Sequence, residues 1–580
     1  MQALPRFRVA VVLLAGVLAS ASLGVSPAAG AAEDMSALKP FVRKAMTWTC
    51  PSLGKAFPVT IHFARPSTGG EARDVILYVI NGAWERIGRE SDLSILRDSI
   101  DQGFIVVTLD FGDTPEAVSP AIDGDIHRLY RALFGLETPS ILRAIDLEPR
   151  DGRFFVLPAG YRVATDLTYW QIDKHGVYGT LDYIMAGYNE QIVPKIKQRE
   201  PDGPALTPAT QPSDMVDRRG RPFDYGIKMD IVYPSQATRK LPVFVHSCTQ
   251  AHRRPYHRYL FQCRGYVYVV MGHCFNPIVQ HYWHCRPFTL DHWNGVACYT
   301  AAIRYLYRTA DRYSMDTDHI GMMGISKGQY AVTRLSDPHH AGGAESKTYS
   351  TFPAEFGQFP PGTPEPQPWP GYPSRIHCGW QGMGMGLWEK EYITPDYVPT
   401  ILACGENDRD VITQDGTPRF LKALEALDVN HVYLFMEGLG HSLSYGYDER
   451  LGVDRYRLVI DFFDRYLQPD AKLPPVVLIA APRDGAEDVS PASAIWLQFA
   501  PAIDETALLD GDAIGVVSLP DRRPVEGAWT VSHGGTKFTF TPDEPLAPGG
   551  RYEVTVTKGV KDTAGTPLEA VRTFRFRTAP

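Results

Sequence analysis

The pentapeptide Gly324-Ile325-Ser326-Lys327-Gly328 stands directly after the strand-like run Ile320-Gly321-Met322-Met323 and before a segment that opens a helix. A serine so placed rides a sharp strand-to-helix turn, clear of the sheet, and small residues on both flanks relieve the crowding of the turn. The pattern recurs by chance in many chains, so its weight comes from the strand before it. That strand belongs to a longer alternation between Asp224 and Gln468. Ile227–Tyr233, Leu241–His246, Gly265–Met271, His319–Met323, Pro399–Cys404 and Val432–Met436 read as strands, and Trp293–Thr309, Thr417–Leu427 and Tyr456–Leu467 show helical periodicity. Such alternation predicts a doubly wound, mostly parallel sheet covered by helices on both faces, with its active site at the carboxyl ends of the strands.

Two more chemistry-bearing residues follow the serine, each just past a predicted strand. Ile401-Leu402-Ala403-Cys404 runs into Gly405-Glu406-Asn407-Asp408-Arg409-Asp410, and the strand ending at Met436 runs into Gly438-Leu439-Gly440-His441. A histidine in a glycine-rich turn is by itself an ordinary surface residue. Serine, acid and histidine in that order on one topology change the reading, because a serine hydroxyl needs a histidine to remove its proton and a carboxylate to hold the imidazole in the useful tautomer.

On these motifs the segment Asp224–Gln468 resembles the α/β-hydrolase superfamily, in particular its dienelactone-hydrolase and prolyl-oligopeptidase-like branch. The resemblance implies Ser326 as nucleophile, His441 as general base and then acid, and Asp408 as the residue orienting the histidine, with Asp410 as the rival acid. Asp408 is preferred because it stands three residues after the glycine that ends the strand, where this branch places its acid. One departure is Gln329, where many relatives carry another glycine. The backbone N–H of Lys327 is the first expected oxyanion donor, and the loop Ser247-Cys248-Thr249 supplies the second, through Cys248 or Thr249. No cofactor and no metal are called for. The segment Tyr330–Tyr397 reads as an insertion that builds a lid or substrate wall, with Trp293, Trp380 and Trp388 as candidates for stacking on sugar rings.

From Pro474 the texture changes to short alternating runs between Gly, Pro and Asp: Val476–Ala481, Ala494–Phe499, Ala528–Ser532, Lys537–Thr541, Tyr552–Thr557 and Arg572–Thr578. That spacing predicts a small all-β sandwich. Pro482-Arg483-Asp484-Gly485, Phe538-Thr539-Phe540-Thr541-Pro542, Leu546-Ala547-Pro548-Gly549 and Asp562-Thr563-Ala564-Gly565 resemble the bacterial immunoglobulin-like domains of secreted and surface proteins, which implies a spacer or binding module. As an independent domain it is expected to make few contacts with the catalytic unit.

At the other end, Arg6 and Arg8, the uncharged run Val9–Leu23 and Ala29-Gly30-Ala31 read as a cleavable signal peptide, residues 1–31. Its apolar part falls short of the roughly 20 residues of a membrane span. Export brings an oxidising environment for Cys50, Cys248, Cys263, Cys274, Cys285, Cys298, Cys378 and Cys404, so some should pair. The loop Cys274–Cys285, with His273, His281 and His284, suggests a metal site, but its spacing matches no zinc pattern and a disulfide is the preferred reading. The division read from the sequence is 1–31, an α/β region 32–222, a catalytic domain 223–472 and a sandwich 473–580. Within 32–222, Val75–Ile80, a helix near Leu93–Gln102 and Phe104–Asp110 form a strand-helix-strand unit. It is either a degenerate echo of Leu241–Met271 or an ordinary unit of the same texture.

With 44% hydrophobic residues the chain is globular and has several cores. Lys plus Arg number 58 against 66 Asp plus Glu, a net charge of −8 with no basic block, so nucleic acid is not an expected partner. The leading reading is a secreted or periplasmic serine hydrolase acting on carboxylic esters, among them acyl esters of an extracellular polysaccharide or a polyester. The alternatives are a prolyl-oligopeptidase-like peptidase, disfavoured by the absence of propeller repeats, and a surface binding protein that no longer reacts. The sequence sets no oligomeric state.

Overall fold

In the sheet that carries the site, strands β9 (Leu241–Ser247), β11 (Met315–Ile325), β12 (Cys378–Gly382), β13 (Thr400–Gly405) and β14 (His431–Met436) lie side by side and all parallel. The computed structural model describes residues 41–64, 75–80, 105–111, 120–134, 141–143, 154–156, 161–171, 185, 188–194, 206–216, 222, 226–247, 265–271, 291–325, 328–338, 369, 371–382, 393–408, 416–441, 447–468, 472–508 and 513–580. β12 and β13 are buried along their whole length, as strands covered on both faces must be. Contacts divide the chain into two units. One comprises the described parts of Met1–Leu167, Met229–Lys240 and His252–Gly272, and the other those of Thr168–Lys228, Leu241–Ala251 and His273–Pro580.

In the first unit, β1 (Phe41–Cys50) and β2 (Lys55–Ala64) form an antiparallel hairpin. With β3 (Val75–Ile80), β4 (Ile105–Asp110), β5 (Ile141–Arg143) and β6 (Phe154–Val156) they make a sheet of order β1-β2-β4-β3-β6-β5, in which β3 and β4 run parallel. Trp48, Phe57, Val59, Val107, Leu109 and Phe111 pack with Ile126 and Leu129 of helix α1 (Pro120–Phe134). β7 spans Tyr161–Gln171 and β8 Gly226–Pro234, and β8 pairs antiparallel with β10 (Val267–Met271). The expected helix near Leu93–Gln102 lies outside the described residues.

In the second unit, helices α2 (Asp291–Thr309) and α3 (Gly328–Leu335) pack on β11, and α5 (Arg455–Leu467) packs on β11 and β12; α4 (Thr417–Ala426) joins β13 to β14. The two faces can be told apart from glycines of β11. A Cβ on Gly321 would lie 2.5 Å from Leu467 and 3.1 Å from Phe463 of α5, whereas one on Gly324 would meet Val332 of α3 at 2.7 Å. The sheet is therefore sandwiched between α5 and α3, the doubly wound arrangement. Phe244 of β9 sets its ring edge-on to Phe463, centroids 5.0 Å apart, extending the α5 contact.

β12 corrects the reading of Tyr330–Tyr397 as one long insertion. Cys378-Gly379-Trp380-Gln381-Gly382 is an interior strand, and Trp380 is a core residue 1% exposed, not a surface for sugar rings. Its glycine is a packing requirement, because a Cβ on Gly379 would sit 2.8 Å from Ser336 Oγ. Of the cysteines, Cys50, Cys378 and Cys404 are buried free thiols; Cys274 and Cys285 lie outside the described residues.

The tail is an all-β sandwich. A short antiparallel pair, β15 (Tyr447–Asp448) and β16 (Val453–Asp454), precedes α5. Beyond α5 come β17 (Val476–Ala481), β18 (Ala486–Val489), β19 (Ile495–Ala500), β20 (Ile514–Leu519), β21 (Arg523–Pro524), β22 (Gly527–Ser532), β23 (Lys537–Pro542), β24 (Arg551–Val556) and β25 (Arg572–Thr578). They form sheets of order β17-β19-β23-β22 and β18-β25-β24-β20-β21 around Leu497, Phe499, Phe538, Phe540, Val554 and Phe576. The sandwich is less separate than expected. α5 packs against β17 and β19, Arg465 donates to the Pro474 carbonyl at 2.9 Å, and Asn430 bonds Thr536 at 3.1 Å.

Gly321→Val, which drives two methyls into α5, is expected to destabilise the second unit by about 1–3 kcal/mol through overpacking. Urea unfolding read by tryptophan fluorescence checks this; an unchanged midpoint would contradict the packing described.

Candidate active site

β11 ends at Ile325 and α3 begins at Gly328, with the two backbones in close approach at Gly324. A Cβ on Gly324 would come within 2.4 Å of the Gly328 carbonyl oxygen, so α3 starts against the strand it follows and only glycine fits at the crossing. β11 and α3 thus flank the position where the sequence expects a strand-to-helix turn. Ser326 and Lys327 themselves lie outside the described residues, as do Cys248, Thr249 and Asp410. Gln329, the departure from the expected glycine, is buried in the first turn of α3, where its carbonyl accepts from the Thr333 hydroxyl at 2.8 Å.

The acid and histidine loops are described and meet. β13 ends at Gly405 and β14 at Met436, paired in register, so both loops leave the same edge of the sheet. Glu406 N–H donates to the Met436 carbonyl at 3.0 Å and Asn407 N–H to the Leu439 carbonyl at 2.7 Å. The exposed Glu406 carboxylate accepts from Gly438 N–H at 2.8 Å, and Gly438 takes a φ of +71 to make its turn. A Cβ on Gly405 would strike the Gly440 carbonyl oxygen at 2.2 Å, so glycine is what lets the loops touch. Glu406 and Gly405 were not singled out from the sequence as site residues; only the cross-loop contacts reveal them.

The outcome is a contact between Asp408 and His441, with Nδ1 of the imidazole 2.7 Å from Oδ2 of the carboxylate. The Asp408 side chain is 1% exposed and that of His441 41%. A buried carboxylate accepting from Nδ1 fixes the ring as the tautomer whose Nε2 carries the lone pair. Cys404, at the end of β13, has its thiol pushed up to about 11, chiefly by burial, so it stays protonated at neutral pH and is no rival nucleophile.

The parallel order β9-β11-β12-β13-β14, the close approach of β11 and α3 at Gly324 and the acid–histidine contact at the ends of β13 and β14 place the described sheet in the α/β-hydrolase fold. Residues 471–578 match the family of bacterial Ig-like domains. No curated protein matches the sequence. Among solved structures the chain is similar to an esterase of the Planctomycetes species Thermogutta terrifontis, at 15% identity over 42% of this chain and 90% of that one, TM-score 0.30. It is also similar to an acetyl ester-xyloside bifunctional hydrolase from Caldicellulosiruptor lactoaceticus, at 14% over 41% and 88%, TM-score 0.30. A third similarity is to esterase B from Lactobacillus Rhamnosis, at 12% over 55% and 89%, TM-score 0.30.

The two loop glycines should respond differently to alanine. Gly405→Ala meets backbone that cannot swing aside and is expected to cost more than about 2 kcal/mol. Gly438→Ala has open space and should cost only about 1 kcal/mol, from its left-handed backbone. Chemical denaturation of both variants gives the order; equal losses would mean the loops are not held by the Gly405 approach.

Proposed function

We propose that the protein is an exported serine hydrolase that cleaves carboxylic esters, with Ser326 as nucleophile, His441 as base and acid, and Asp408 as the orienting carboxylate. The observation that carries this reading is the 2.7 Å contact between Asp408 and His441 on loops that leave the carboxyl ends of β13 and β14. In the proposed cycle His441 Nε2 takes the Ser326 proton as the hydroxyl attacks the ester carbonyl, and the imidazolium that forms is stabilised by buried Asp408. The tetrahedral oxyanion is met by the backbone N–H of Lys327 and a second donor from Cys248 or Thr249, such a donor being worth about 3 kcal/mol. His441 then protonates the leaving alcohol, and water, activated by the same imidazole, releases the acid from Ser326.

The proposed division is a signal peptide 1–31, an α/β region 32–222, the hydrolase 223–472 and the sandwich 473–580. Export is supported by the amino-terminal charge and apolar pattern. Among the described residues no helix is long and apolar enough to cross a membrane. An immunoglobulin-like module suits a polymeric substrate, so acyl groups on an extracellular polysaccharide or a polyester are the proposed class.

Ser326→Ala should abolish labelling by a fluorophosphonate probe and lower turnover of a chromogenic acyl ester by several orders of magnitude. Asp408→Asn should lower kcat by about 10⁴ with little change in KM, because the amide no longer holds the imidazole in its working tautomer. Asp410→Asn should be mild. Steady-state kinetics on the three variants, each checked for native circular dichroism, decide; an active Ser326→Ala protein would end the proposal. Faster turnover of dipeptidyl amides than of esters would transfer it to the peptidase reading.

A further inference from the structure

At the amino end of β14, the opposite end of the strand from the loop that carries His441, the hydrolase and the sandwich meet through two histidines. His431, the first residue of β14, is buried, and its ring stacks on that of His533 with centroids 4.0 Å apart and planes 25° from parallel. His533 sits in the β22–β23 turn, where His533, Gly534 and Gly535 all take positive φ, of 55, 61 and 82. A histidine in the left-handed region is uncommon, and here it delivers a sandwich side chain onto the hydrolase. Around the pair the contact is polar and tightly partnered. The Asn430 amide donates to the Tyr466 hydroxyl of α5 and lies 3.1 Å from Thr536 Oγ1, which also accepts from Gln498 at 2.7 Å.

We propose that this stacked histidine pair is a proton-sensitive joint, which holds the sandwich on the hydrolase while both rings are neutral and releases it when they are protonated. Stacked imidazoles attract only while at least one is uncharged; two imidazolium rings 4.0 Å apart in a low-dielectric contact repel. At His533 a second proton has no partner to meet. His431 Nδ1 already faces the Val429 carbonyl at 2.8 Å, and His533 Nδ1 is buried with no hydrogen-bond partner among the described residues.

The charged groups facing the pair come from three elements: Glu425 at the end of α4, Asp428 in the turn that follows, and Lys537 of β23. The acids favour protonation of His431, while Lys537 opposes it at both rings. Burial comes first among the causes. It lowers His431 and, with His431 and Lys537 adding to it, drives His533 from 6.5 to about 3. Glu425 and the two histidines also lie close enough to suggest a cation site. We do not read them as ligands, because an ion must lie in the plane of each imidazole and two nearly parallel rings facing each other do not aim their lone pairs at one point.

The sign follows directly. Docked, the histidines are held neutral; apart, each takes up a proton near 6.5, so docking releases protons. Attachment is complete above pH 6.5 and weakens as the pH falls from there toward 3. The docking constant should drop by about tenfold per pH unit below 6.5 through His533 and further through His431, hence by more than about tenfold by pH 5.5.

The test is small-angle X-ray scattering of the full chain from pH 8 to pH 4.5 in EDTA, with far-UV circular dichroism on the same samples to establish that both domains stay folded. The radius of gyration should rise below pH 6.5 with native dichroism. In the His431→Phe/His533→Phe protein, which keeps two stacked rings and loses both protons, the rise should disappear. Lys537→Met, a single change on a half-buried side chain, is the second variant: without the ammonium the docked rings take protons more readily, so the transition should move to lower pH. An unchanged radius down to pH 4.5, or the same rise in the double phenylalanine variant, overturns the proposal. So does compaction at pH 5.5 on adding Zn²⁺ in place of EDTA, which would make the trio a metal site.

Discussion

The contact between Asp408 and His441 depends on two backbones approaching closely at Gly405. The carboxylate of Asp408 and the imidazole of His441 belong to different loops, and side chains on independent loops do not hold a 2.7 Å contact unless the loops themselves are fixed. They are fixed by register. β13 and β14 pair up to Gly405 and Met436, and two further backbone bonds carry the pairing past the sheet edge into the loops. The bare Cα of Gly405 is the steric condition for that extension, since any side chain would displace the Gly440 carbonyl. A buried acid is thereby delivered to a half-exposed histidine, with one end of the pair anchored and the other open to solvent.

The same logic operates at larger scale in the sheet. Gly321, Gly324 and Gly379 lie where helices press closest, and each substitutes backbone contact for side-chain volume, drawing α5 and α3 onto β11 and β12. Close-packed faces make the sheet a rigid base, on which strand ends can present reacting groups with little motion. α5 then serves twice, because the helix that covers one face also forms part of the bed for β17 and β19. The sandwich is thus joined to the parallel sheet through the helix that packs on it.

Parts of this were legible in the sequence for definite reasons. β9, β13 and β14 are uninterrupted apolar runs, α4 and α5 have a 3.6-residue period, and the serine, acid and histidine each follow a strand, so one-dimensional pattern and order suffice. β12 escaped because glycine and glutamine do not read as strand; its residues are set by neighbours such as Ser336, which a linear scan cannot see. β20 escaped for a similar reason: Ile514-Gly515-Val516-Val517 is short and broken by glycine, and its partner β24 is distant in sequence. In the amino-terminal hairpin, the buried Met46, Trp48 and Cys50 do alternate with their neighbours, but ten residues of mixed polarity are weak evidence without the paired strand β2.

By itself, then, the sequence determined the order of elements, the parallel class of the central sheet, the all-β character of the tail, and which three residues to propose for the chemistry, because all of these are encoded in local period and chain order. Only the tertiary structure decided that Asp408 lies against His441, that Glu406 and Gly405 bind the two loops together, and that His533 of the sandwich stacks on His431 of β14. Those are contacts between residues far apart in the chain. Their energies depend on burial and on distances of a few ångströms, quantities that exist only once the backbone has closed on itself.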